Sequence, residues 1–81
     1  MDDDLTIALA MCAELSLISS GLAVEMASRG LLHETTAGRM ANSFDNVAEY
    51  LDGAEVDELT EYAALLHSSA ILLRRVRRES P

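Results

Sequence analysis

The sequence predicts an all-α fold, a three-helix up-down-up bundle with a long apolar first helix that pairs in a helical homodimer. Three observations lead there. Proline is absent before Pro81, so no ring interrupts a helix. Alanine and leucine, both strong helix formers, are the commonest residues. Breaks are confined to two short stretches, SRGLLHETTAG (28–38) and LDGAE (51–55). Gly30 and Gly53 suit helix C-terminal caps, and Thr35 or Thr36 suits the N-cap of the next helix. The expectation is a single all-α domain over residues 1–81, with helix 1 at about 3–30, helix 2 at about 36–52 and helix 3 at about 55–78. Connections this short make neighbouring helices antiparallel.

Helix 1 contains IALAMCAELSLISSGLAV, residues Ile7 to Val24, with Glu14 its one charge. Asp3, Glu14, Gly21, Glu25 and Ser28 share a narrow strip at 100° per residue. Leu5, Leu9, Cys12, Leu15, Leu17, Leu22, Val24 and Met26 cover most of the remaining circumference, so the helix requires burial nearly all round. A membrane span would place Glu14 near the bilayer centre at about 2.5–3.5 kcal/mol. The leading MDDD is acidic where a span or signal peptide favours basic residues. Membrane insertion is therefore disfavoured, and burial in protein is the expectation, with Cys12 a small buried side chain.

Helix 2 is cleanly amphipathic. Ala37, Met40, Phe44, Val47, Ala48 and Leu51 take one side; Arg39, Asn42, Asp45, Asn46 and Glu49 take the other. Helix 3 carries a stripe of Val56, Leu59, Tyr62, Ala63, Leu66, Ala70 and Leu73, with a second edge of Leu65, Leu72 and Val76. These two helices cover about half of helix 1 and leave a stripe bare, which a second copy would cover, two-fold dimers being the commonest oligomers. The small residues Ala8, Ala13, Ser16, Ser20, Ala23 and Ala27 would allow two such backbones to approach. Expected self-association residues are Leu5, Leu9, Cys12, Leu15, Leu22 and Met26.

Charge is uneven. Residues 1–73 hold thirteen acids and two arginines, net −11, whereas residues 74–81 hold four arginines and one glutamate, net +3. An acidic body repels phosphate backbones, so direct nucleic-acid binding is not expected. Acids opening helices and arginines closing them also favour the helix dipole. An antiparallel dimer would bring Asp2–Asp4 of one chain towards Arg74, Arg75, Arg77 and Arg78 of the other. With one cysteine, the chain suits a reducing, cytoplasmic setting.

No nucleophile elbow, phosphate-binding glycine loop or Glu-x-x-His pair is present. His33 and His67 read as loop and polar-surface residues. No catalytic residue, metal ligand or cofactor is expected. Acids do gather around the helix 2–helix 3 turn, as Glu49-x-x-Asp52 and Glu55-x-x-Glu58-x-x-Glu61. Such spacing can hold Mg²⁺ beside a substrate phosphate. Over barely thirteen residues this is similar to the all-α nucleotide pyrophosphohydrolases, though with the Glu-x-x-Asp element first and no double glutamate. The resemblance implies an Mg²⁺-dependent enzyme as one alternative. A DNA-mimicking inhibitor of a nucleic-acid-binding protein is another. The expected role is a non-enzymatic regulator, inhibitor or adaptor, bacterial or phage, that binds itself and another protein, with Asp45, Glu49, Asp52, Glu58 and Glu61 contacting that partner.

Overall fold

The computed structural model describes residues 3–77, apart from the side chain of Asp3. Asp2 and Arg78, both invoked in the charge argument, lie outside that range. The described residues are all-helical, 84% of them in three helices that pack against one another. They are α1 (Asp3–Ser28), α2 (Glu34–Gly53) and α3 (Asp57–Leu73). The shape is a rod of 51 × 16 × 15 Å.

Two core clusters show how the helices run. At one end Ala13 of α1 meets Ala48 and Leu51 of α2 and Leu59, Ala63 and Leu66 of α3. At the other, Ala23 of α1 meets Leu32, Ala37 and Ala41 with Ala70 and Leu73 of α3. The first half of α1 therefore lies beside the end of α2 and the start of α3, which is the up-down-up arrangement.

The helix ends differ from the expectation in instructive ways. Gly30 does end α1, at φ 73°. The Leu31 amide donates to the Met26 carbonyl at 2.9 Å and the Gly30 amide to Ala27 at 3.0 Å, the paired bonds of a Schellman cap. Neither Thr35 nor Thr36 caps α2. His33 holds the N-cap position in extended backbone without a side-chain cap bond. Leu32 just before it is buried with Ala37, a hydrophobic staple that pulls the helix start two residues upstream. At the far end Gly53 remains helical, and the left-handed residue is Glu55, at φ 57°. Glycine adopts that conformation freely, whereas an L side chain costs about 1–2 kcal/mol. Glu55→Gly is thus expected to raise stability by about 0.5–1 kcal/mol once glycine's extra unfolded-state entropy is deducted, read as a later urea midpoint with unchanged slope.

Helix α3 stops at Leu73, short of the expected 78. Arg74 occupies the C-cap position. The Arg77 guanidinium turns back and donates to the carbonyls of Arg74 (2.7 Å) and Val76 (2.9 Å), satisfying acceptors beyond the end of the helix.

The largest departure concerns which side of α1 faces inward. Its small residues are the inner face: Ala13, Ser20 and Ala23 are buried, and Ser16 and Ala27 are half-buried. They allow close approach to α2 and α3 of the same chain, not to a second α1, and only Ala8 of that set is exposed. Ser20 is accommodated because its hydroxyl donates to the Leu17 carbonyl at 2.9 Å. Cys12 is exposed rather than buried, on the flank of α1 beside its inner face.

Candidate docking face and charged poles

The core is thin. Its twelve buried apolar residues comprise seven alanines and five leucines. Large side chains lie outside instead. Along α1, Met11, Leu15, Ile18 and Leu22 are 60%, 63%, 63% and 62% exposed, flanked by exposed Leu5, Ile7 and Met26. Their spacing of four, three and four residues is a straight seam along one side of a helix. Beyond a polar strip on α1, a groove lined by Val24, Ala27, Ser28, Leu72, Arg75 and Val76 runs between α1 and α3, and Ile71 and Leu72 of α3 are exposed. Total accessible surface is 5449 Å², against about 4,800 Å² expected for a compact 8.8 kDa monomer.

Of the residues expected to drive self-association, Leu15, Leu22 and Met26 lie on this outward side; Leu5 and Cys12 are exposed on the flank of α1, Leu5 beside the end of α2, and Leu9 packs against the core. Met11, Ile18 and Ile7 belong to the same face and escaped the sequence reading. Their heptad spacing was the signal that would have found them. By length and composition, Asp4–Ser28 is also apolar enough to cross a membrane, and only 17% of its most apolar window is buried in the single chain.

The fold sorts charge by pole. Asp4, Glu49, Asp52, Glu55, Asp57, Glu58 and Glu61 gather where α1 begins and α2 meets α3. Every arginine among the described residues, namely Arg29, Arg39, Arg74, Arg75 and Arg77, lies at the opposite pole. Beside the acidic pole a cavity of about 530 Å³ opens between α1 and the end of α2, lined by Leu5, Leu9, Glu49, Tyr50 and Val56 among others. Among the described residues, no three His, Cys, Asp or Glu side chains converge to hold a metal ion.

Four of the five residues expected to contact a partner, Glu49, Asp52, Glu58 and Glu61, are exposed near the α2–α3 turn. Asp45 is elsewhere. It reaches across to α3, where one carboxylate oxygen accepts from His67 Nδ1 at 2.7 Å and the other from Arg74 at 2.7 Å. Arg74 also donates to Asn42 at 2.8 Å. An ionised carboxylate can only accept, so His67 carries its proton on Nδ1. Partial burial pushes the Asp45 carboxyl upward, but hydrogen bonds from His67 and Arg74 and their charges outweigh it and hold it below its ordinary value of 3.8. A depressed carboxyl contributes stability above its unfolded pKa and loses it as pH falls through the native one. Asp45→Asn is therefore expected to lower stability by about 1 kcal/mol at pH 7, a gap that closes in urea melts as the pH falls below the ordinary carboxyl value of 3.8 and through the lower native one.

No protein-family model matches this chain, and no curated protein or solved structure is significantly similar to it.

Proposed function

We propose that this is a non-enzymatic, cytoplasmic regulator, inhibitor or adaptor that works by protein–protein contact, with the outward face of α1 as its self-association spine. One observation carries the reading: α1 exposes six large apolar side chains along one side, Ile7, Met11, Leu15, Ile18, Leu22 and Met26, while the core is built mostly of alanine. Monomeric soluble proteins rarely leave contiguous apolar patches beyond about 300–600 Å² uncovered. A face of six Leu, Ile and Met side chains approaches the ~800 Å² that each partner contributes to a standard interface. A bilayer fits the helix less well, since Glu14 and Glu25 are exposed beside the seam and each carries a desolvation penalty in lipid. Once α1 is covered, the exposed acids at the α2–α3 pole form the surface offered to another protein.

Mixing ¹⁴N- and ¹⁵N-labelled chains and weighing the assembly by native mass spectrometry tests the self-association. A mixed heavy–light dimer is expected; folded single chains at all concentrations would overturn it. An Mg²⁺ enzyme using the carboxylates around the α2–α3 turn is the competing role, although no three of them converge among the described residues. Calorimetric titration with Mg²⁺ to about 10 mM should then give no heat that Glu58→Gln abolishes.

A further inference from the structure

Resting on the self-association just proposed, we infer that the two copies of α1 pair antiparallel, in a register that places Leu15 against the partner's Ile18. The exposed seam reads Asp4, Ala8, Met11, Leu15, Ile18, Leu22, Glu25 and Arg29, alternating between four- and three-residue steps. Two such seams running in opposite directions about a two-fold axis set Leu15 and Ile18 at the centre. Every other layer then follows: Met11 meets the partner's Leu22, Ala8 the partner's Glu25, and Asp4 the partner's Arg29. Two-fold symmetry supplies each pair twice.

The layers match in size and in sign. Large apolar side chains fill the central four layers. Glu25 enters beside the smallest seam residue and is already paired within its own chain, its carboxylate accepting from Arg29 at 2.8 Å. The outermost layers join an acid at the start of one α1 to a cation at the end of the other. Parallel pairing would instead stack Asp4 on Asp4, Glu25 on Glu25 and Arg29 on Arg29, like charges in contact at both ends. The rest of the fold adds the same bias, because the acidic and arginine-bearing poles lie at opposite ends of the rod. Arg74 and Arg77 are engaged within the chain, as Arg29 is with Glu25; what assigns Arg29 as the complementary cation is its place on the seam, which the C-terminal arginines do not share.

Distance measurement between spin labels decides the direction. In a Cys12→Ala background, Ser28→Cys carries the label at an exposed position off the seam centre. Antiparallel pairing in this register sets the two labels about 35 Å apart along the axis, at 1.5 Å rise per residue. A short separation of about 10–20 Å, the spacing of side-by-side helices plus label arms, would overturn the direction while leaving pairing intact. No dipolar signal from a sample of single-chain mass would overturn both. As an independent check, Asp4→Arg and Arg29→Asp are each expected to weaken dimerisation about tenfold at low salt, with the double charge swap restoring it to within a few-fold. Equal weakening by the double swap would contradict the layer.

Discussion

Leu15→Glu is expected to separate the dimer while leaving each protomer folded. Leu15 is 63% exposed in the single chain, so by itself the protomer tolerates glutamate there; surface substitutions of this kind stay within about 0.5 kcal/mol. Glutamate is also a good helix former. In the pair, however, residue 15 lies at the centre of the seam and occurs twice. Each copy removes an apolar anchor and introduces a charge that must be desolvated. At about 2 kcal/mol per central anchor, two copies amount to a dissociation constant weakened roughly a thousandfold. Sedimentation velocity across a dilution series reads the dissociation constant, and far-ultraviolet circular dichroism checks that helicity is retained. An unaltered dissociation constant would remove Leu15 from the interface.

Leu66→Ala has the opposite signature. Leu66 is fully buried, one of only four leucines with essentially no exposure, and it contacts the cluster in which α1, α2 and α3 meet. Truncation there removes transfer energy and leaves a cavity, at about 2–5 kcal/mol. An 81-residue chain has a total stability of about 4–12 kcal/mol, so the loss is a large fraction of it. A fall in Tm of about 10–25 °C is expected, at concentrations where the protein is monomeric as well as where it is paired. Two leucines on two helices thus separate folding from association. One acts on the protomer; the other acts on the contact between protomers.

Helix α2 was legible in the sequence because its two sides differ in kind. Ala37, Ala48 and Leu51 are buried and Met40, Phe44 and Val47 half-buried, as the 100° periodicity requires. Helix α1 was legible as a helix but not in orientation. With apolar residues around most of its circumference, periodicity alone does not say which side turns inward. Size settled it: the alanines and serines allow the close approach that α2 and α3 need, so the large residues were left outside. The caps divide similarly. Gly30 takes the left-handed position expected of it, whereas at the second break that position falls on Glu55, and the staple between Leu32 and Ala37 outweighs the capping preference of Thr35 and Thr36.

The candidate site was partly legible for the same reasons. Leu15, Leu22 and Met26 stood out by hydrophobicity, and the heptad step completes the face with Met11 and Ile18, whereas Leu5 faces the gap beside the end of α2. Asp45 was not legible, because its partners His67 and Arg74 lie on another helix and no local spacing announces a pairing across so much chain. The separation of charge into two poles needed the topology too. A list of charges along the sequence shows an acidic body and a basic end; only the reversal of direction at each turn places Arg29 and Arg39 alongside Arg75.

Everything proposed for this protein depends on a second copy of the chain covering the outward face of α1. Sedimentation equilibrium of the wild-type protein in detergent-free buffer tests it most directly. A soluble species of twice the 8.8 kDa chain mass that dissociates on dilution is expected. A folded species of single-chain mass at every concentration, or a protein that stays in solution only with detergent, would contradict it.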